Sequence, residues 1–359
     1  MTTSPDPINL FEFEDVARGR LPKEEYDYIA GGATDEISVD RNRRAYASWA
    51  LRPRVLRDVS ALDLSTTVLG MKVNLPVLIA PCGAHKRAHP EGELATYRAA
   101  TACGSALAVS ANASASFEDL AKAANGNLWV QLYPFRDREM TTEWLRRAED
   151  LGYKAICVTL DSQWPPKRER NIRNNYRRTR GVNYPKGTSQ TPRPGGAAGE
   201  GSDPAATWKD LEWIKSETDL PVVAKGIMAG EDAEFCAEVG ADGVIVSNHG
   251  GRQVDGAVAA LDALPGVVEA VRGRIPVLFD SGIRHGADAF KAIALGARAV
   301  LLGRLYVYGL AIAGEQGVRD VVQNFLADFD LTLALSGYRS CAELSPAALL
   351  RDVQEASSG

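Results

Sequence analysis

Ser247-Asn248-His249-Gly250-Gly251-Arg252 closes an apolar, β-branched run and sets an imidazole three residues from a guanidinium. The two glycines between them let a ligand come close to the backbone. An imidazole titrating near neutrality can accept a proton, and an arginine fork can clamp a carboxylate through two parallel hydrogen bonds. The pairing suits proton abstraction from a small organic acid held by its carboxylate. A lone histidine after a strand is more often a packing residue, so the reading depends on other polar groups converging on the same place.

Such groups stand wherever another apolar run stops: Pro81-Cys82-Gly83, Ser110-Ala111-Asn112, Gln131-Leu132-Tyr133, Thr159-Leu160-Asp161, Lys225-Gly226, Asp280-Ser281-Gly282-Ile283-Arg284 and Gly303-Arg304. The last two suggest a phosphate site, with backbone N–H groups opened by Gly282 and Gly303 and the charge neutralised by Arg284 and Arg304. His85 and His89 stand four apart, but Pro90 follows and no Glu lies between them, so the zinc-protease pattern is missing and no metal is expected. A metal-dependent hydrolase using His85, His89 and Asp280 is the rival reading from another class.

The elements that must position these residues follow from periodicity. Short apolar runs at 75–80, 106–110, 128–132, 155–160, 221–224, 243–246, 275–279 and 299–302 alternate with helical patterns. Ser116 and Asp119 resemble a capping box, and Gly104, Gly126, Gly152, Gly240, Gly273 and Gly296 stand where helices should end. Alternating strand and helix implies a parallel sheet, and near-continuous apolar strands imply burial on both faces. A closed (β/α)8 barrel is expected over a doubly wound open sheet, because no Gly-x-Gly-x-x-Gly follows any strand. The chain reads as one domain over 1–359, with helices over 1–70 packed on the barrel. The connection 161–207 is too long for an ordinary loop, is of low complexity over 188–202, and is expected to be a mobile lid. In a barrel the carboxyl ends of the strands build the active site, so the polar strand ends gain a functional reading.

Composition excludes several classes. The chain has 359 residues, 45% hydrophobic and 24% charged, with a net charge of −5. Such a balance gives no general attraction to nucleic acid or anionic membrane. The basic cluster Lys167, Arg168, Arg170, Arg173, Arg177, Arg178 and Arg180 has only Tyr176 as a stacking aromatic, and reads as a solvated lid that draws in an anionic substrate. No apolar stretch reaches the roughly 18 residues of a membrane span. The first residues lack a secretory pattern, the last are not Ser-Lys-Leu, and a cytoplasmic location is expected. The five cysteines are scattered among apolar neighbours, as reduced core thiols would be.

The ordered set of Gln131-Leu132-Tyr133, Val223-Ala224-Lys225-Gly226, Ser247 to Asp255, Asp280 to Arg284 and Leu302-Gly303-Arg304 resembles the FMN-dependent 2-hydroxy acid oxidases and dehydrogenases, the family of glycolate oxidase, lactate oxidase, mandelate dehydrogenase and flavocytochrome b2. The likeness runs from Leu21-Pro22 to Gly337-Tyr338-Arg339-Ser340. Ala84-His85, Asp161-Ser162 and Phe279 to Gly282 lean toward the lactate oxidase branch.

The resemblance implies that His249 is the base, that Asp161 pairs with it, and that Arg252 and Arg168 hold the substrate carboxylate beside the phenols of Tyr28 and Tyr133. It further implies that FMN is held by Ser110, Gln131, Thr159, Lys225, Ser247 and Asp280, by backbone at Pro81, Cys82 and Gly83, and by Gly282, Arg284, Gly303 and Arg304 at the phosphate. The implied reaction takes a small, lactate-like L-2-hydroxy acid to the 2-keto acid with O2 as acceptor, in a homotetramer. A dehydrogenase serving a quinone or protein, and a tailoring oxidase with a larger substrate, stay open, as does hydride against carbanion chemistry. Two positions depart from the pattern: Asn112 stands where the family often has an aromatic residue, and Trp164 lies in an unusual lid segment; Gly83 is the smaller of the two residues, Ala or Gly, that usually stand beside the flavin.

Overall fold

The computed structural model describes residues 7–177, 180–184 and 202–351. Before the barrel come α1 (Leu10–Arg20), α2 (Lys23–Ala30), α3 (Ile37–Ala47), the short strand β1 (Trp49–Leu51) and the hairpin β2 (Thr66–Val68) to β3 (Met71–Val73). Asn9 caps α1 by accepting from the N–H groups of Phe11 and Glu12. The hairpin turns through Leu69 and Gly70, both at positive φ, as a tight two-residue turn requires.

The barrel strands are β4 (Val77–Ile79), β5 (Ala106–Val109), β6 (Asn127–Leu132), β7 (Ala155–Thr159), β8 (Val222–Ile227), β9 (Gly243–Val246), β10 (Val277–Phe279) and β11 (Ala299–Leu302). They close in the order β10-β11-β4-β5-β6-β7-β8-β9, all parallel, which is the expected (β/α)8 architecture. Each run picked out by its apolar residues contributes one strand. The surrounding helices are α4 (Gly92–Ala102), α5 (Phe117–Ala123), α6 (Arg138–Asp150), α7 (Glu169–Arg173), α8 (Trp208–Ser216), α9 (Gly230–Glu238), α10 (Ala260–Val271), α11 (Gly286–Ala294) and α12 (Arg304–Leu335), the last broken at Ala313 and Gly314. A final strand, β12 (Leu349–Arg351), pairs antiparallel with β1.

Five of the six glycines expected at helix ends sit at positive φ; Gly126 does not. Its reason is space, because a Cβ there would stand 2.3 Å from the Thr101 hydroxyl oxygen. At α5 only the Ser116 half of the expected capping box forms, whereas complete boxes occur at Thr207 with Asp210 and at His285 with Asp288.

Two cores follow from the period of two along each strand. Leu78, Ala108, Trp129, Cys157, Val223, Ile245, Leu278 and Leu301 fill the barrel interior, and Val68 and Val73 of the hairpin seal it from below. Their neighbours, among them Ile79, Val130, Val158 and Val246, pack outward against the helices. Two residues beyond each interior side chain comes the next inward position: Ala80, Ser110, Gln131, Thr159, Lys225, Ser247, Asp280 and Gly303. The polar floor of the mouth is thus the top layer of the same alternation that builds the dry core.

The long connection after β7 is tied down where it is described. Its α7 packs on α2, and residues 180–184 return to the loop after β5, where the Val182 N–H donates to the Ala113 carbonyl and Asn183 bonds the backbone of Phe117 and Ala115. The low-complexity part expected to be mobile lies, up to Gly201, outside the described residues, as does Arg178 of the basic cluster.

Candidate active site

His249 ends β9 in the left-handed region, at φ 58°, a conformation that costs a side-chain residue energy and persists only where its surroundings hold it. The hold is visible. The Ser247 hydroxyl accepts from the His249 N–H at 3.0 Å, and the Ser281 hydroxyl accepts from the Gly250 N–H at 3.1 Å. Asn248 forms a reciprocal amide pair with Asn42 of α3, both bonds 2.8 Å, which ties the His249 turn to the N-terminal segment. Sequence reasoning missed Asn42, since nothing local distinguishes it from other helical asparagines.

Asp161, at the end of β7, lies 3.0 and 3.2 Å from His249 Nδ1 through its two carboxylate oxygens. The close approach needs Gly226: at φ 102°, a Cβ there would stand 2.7 Å from Asp161 Cβ. Burial raises the Asp161 carboxyl, but His249 and Lys225 more than reverse it, so the group lies below its ordinary value and is ionised. An ionised partner can only accept, so Nδ1 carries the ring proton and Nε2 is the basic nitrogen. Burial depresses the His249 imidazole, Asp161 opposes that, and Lys225 and Arg168 add to it; the net position is below the ordinary value. The ring is therefore neutral at pH 7, as a base must be.

Lys225 at the end of β8 is buried with its Nζ 3.1 Å from Asp280 and 2.8 Å from the Ser247 hydroxyl. Burial alone would lower the ammonium, but Asp280 and Asp161 bring it up to about 12, so it keeps its charge. Asp280, expected in the cofactor site, holds Lys225 and accepts from Ser281 at 2.8 Å.

Arg252 donates to the carbonyls of Gly31 (2.5 Å) and Ile29 (3.3 Å) at the C-terminal end of α2, and its guanidinium lies 5.2 Å from the centre of the Tyr28 ring. Arg304 reaches the same two carbonyls, at 3.0 and 3.1 Å. The negative end of a helix thus gathers two guanidinium groups. Arg168 reaches the Arg252 carbonyl through Nε at 3.4 Å, so both candidate carboxylate clamps meet at this rim. Tyr28 stacks on Tyr176 of the lid, rings 4.7 Å apart at 14°, and the Tyr176 hydroxyl bonds Glu25 at 2.9 Å. Tyr176 has a place in the site that its sequence position did not signal.

Tyr133 is buried beside Phe135, whereas Trp164 is 62% exposed. Asn112 is buried with Gly83 against it, a Cβ on which would lie 3.0 Å from Asn112 Cβ. Arg284 turns back to the Ile283 carbonyl at 2.9 Å and lies 3.8 Å from Glu14. His85, offered by the hydrolase reading, has both ring nitrogens engaged with Thr96 and Tyr306, and Asp280 pairs with Lys225; among the described residues no three His, Cys, Asp or Glu side chains are grouped to hold a metal.

The mouth has the donor set a flavin nucleotide needs. Ser110, Gln131, Thr159, Lys225 and Ser247 present hydroxyl, amide and ammonium groups as one buried polar layer. Beside them the Gly303 backbone, followed in the chain by Arg304, faces open space where its Cβ would be. A parallel barrel with this mouth defines a flavin-binding oxidoreductase barrel as the class.

Comparison with known proteins agrees. The model of the FMN-dependent dehydrogenase family matches residues 17–351. A peroxisomal (S)-2-hydroxyacid oxidase of Arabidopsis thaliana is 45% identical over 92% of this chain and 93% of its own length. The glycolate oxidase of Spinacia oleracea is 42% identical over 96% of each chain. A high-resolution structure of an oxidized active mutant of (S)-mandelate dehydrogenase superposes with TM-score 0.90 at 38% identity, covering 96% of this chain and 100% of that one. The chain belongs to the FMN-dependent dehydrogenase family, and FMN is its cofactor.

Proposed function

We propose that this enzyme oxidises a small L-2-hydroxy acid of lactate-like size to the 2-keto acid, with His249 as base, Asp161 as its partner and dioxygen as acceptor. The observation that carries the reading is the meeting of a neutral, Asp161-held imidazole with two arginines at one barrel mouth. The substrate carboxylate is held by Arg252 and Arg168, with Tyr28 and Tyr133 bonding the polar atoms of its reacting end. His249 takes a proton through Nε2, and Asp161 stabilises the imidazolium that results. Bound FMN supplies the two-electron acceptor. Ser110, Gln131, Thr159, Lys225 and Ser247, with the backbone of Pro81, Cys82 and Gly83, would hold its ring, and Gly282, Arg284, Gly303 and Arg304 would hold its phosphate. Asp280 serves this set by keeping Lys225 charged and in place. The active form is a homotetramer.

The test is direct. Purified yellow protein under argon is mixed with lactate, glycolate or mandelate, then exposed to air. Lactate is expected to bleach the flavin fastest and air to restore it. Bleaching by none of these acids would end the reading, and recovery only with a dye or quinone would replace dioxygen as acceptor.

The pH dependence follows from His249. Its value is depressed in the folded chain, so kcat/KM is expected to be flat through neutrality and to fall about tenfold per pH unit only below 6.5. A limb centred above 6.5 would mean that another group is the base.

A further inference from the structure

A knot of buried polar side chains stands across the barrel from His249 and takes no part in the proton transfer. In the closed order β4 and β5 lie four strands from β8 and β9, so the loops after β4 and β5 form the wall that faces Lys225 and His249. Tyr306, fully buried in the first turn of α12, donates its hydroxyl proton to the Ala80 carbonyl at 2.8 Å and accepts from the Cys82 N–H at 3.3 Å. His85 reaches the same oxygen through Nε2 at 3.1 Å, while its Nδ1 lies 3.1 Å from the Thr96 hydroxyl.

The proton count sets the tautomer. Tyr306 has one proton and gives it to Ala80, so toward His85 it accepts; Nε2 carries the ring proton and Nδ1 accepts from Thr96. Burial pushes the His85 imidazole below its ordinary value, which favours this neutral form. Glu93 completes the knot, accepting from the His85 N–H at 3.0 Å, the Ser114 N–H at 2.9 Å and the Ser114 hydroxyl at 2.5 Å. Three consecutive strand ends are thereby joined: β11 through Tyr306, β4 through Ala80, Cys82 and His85, and β5 through Ser114. The joined segment includes Ala84 at φ 61°, a left-handed conformation that needs such support.

We propose that His85 and Tyr306 are positioning residues for FMN: together they fix the Pro81–Gly83 backbone as the wall opposite His249 and so set how the ring meets the base. The inference rests on the reading of this mouth as the FMN site with His249 as base. Small hydroxy acids never touch the pair, yet its loss should be felt by the cofactor.

The experiment compares Tyr306→Phe, His85→Leu and His85→Gln in the full chain. It reads FMN affinity by fluorescence titration of the apoprotein, the midpoint potential of the bound flavin, and the melting temperature of the apoprotein. Tyr306→Phe loses one oxygen atom, leaves the Cys82 N–H and the Ala80 carbonyl with only their 2.9 Å bond to each other and takes the acceptor from His85 Nε2, so FMN affinity is expected to fall about tenfold, with a shifted potential. His85→Leu should do the same, and His85→Gln should restore both, because its amide offers an N–H to Tyr306 and an oxygen to Thr96. Wild-type affinity and potential in Tyr306→Phe, whether or not it melts earlier, would overturn the proposal, as would a Gln variant as impaired as the Leu variant. A wild-type chain that never binds FMN would instead sink the underlying reading.

Discussion

His249→Gln is expected to leave the protein yellow and to slow anaerobic bleaching by hydroxy acid by about 10²- to 10⁴-fold, the range for loss of a general base. Glutamine is close to histidine in reach and its amide N–H can still donate to Asp161, so the turn held by Ser247, Ser281 and Asn248 has no cause to collapse. It has no basic nitrogen to replace Nε2. FMN contacts proposed for Lys225, Gln131 and the phosphate end are untouched, which is why colour and chemistry should separate. Stopped-flow absorbance in the flavin band reads both at once, and rapid bleaching in the variant would remove His249 from the role of base.

Lys225→Met is expected to have the other large effect, first on stability and then on the cofactor. It leaves Asp280 buried without its cation, a situation that costs about 3–5 kcal/mol when one partner of a buried pair is removed. Adding Asp280→Leu takes away the stranded charge, so the double variant should regain most of the lost stability in denaturant unfolding of the apoprotein. FMN affinity should remain low in the double variant, because the ammonium proposed to face the ring is still missing. Should the double variant bind FMN like the wild type, the pair would be a structural device alone.

The barrel was legible because its signals are local. Each strand is a run of apolar residues that stops in polar ones, all but the first follow a helix end, and each run became one strand of the closed sheet. Ser110, Gln131, Thr159, Lys225 and Ser247 could be placed in one mouth for the same reason. They stand two residues past inward core positions, and parallel strands in a closed sheet bring their carboxyl ends to one rim. Gly126 misled because a glycine required by close packing against Thr101 is written with the same letter as one required by a left-handed helix end.

By itself, then, the amino-acid order determined the eight strands, the end at which polar groups gather, and the imidazole-to-guanidinium spacing after β9. Only the packed molecule decided that Arg252 and Arg304 share the carbonyls at the end of α2, that Tyr176 stacks on Tyr28, that Asn42 clasps Asn248, and that His85 meets Tyr306. Periodicity and turn chemistry act between near neighbours in the chain, whereas these contacts join residues more than a hundred positions apart. They exist because barrel closure and the docking of the N-terminal helices remove the freedom that chain separation would otherwise leave.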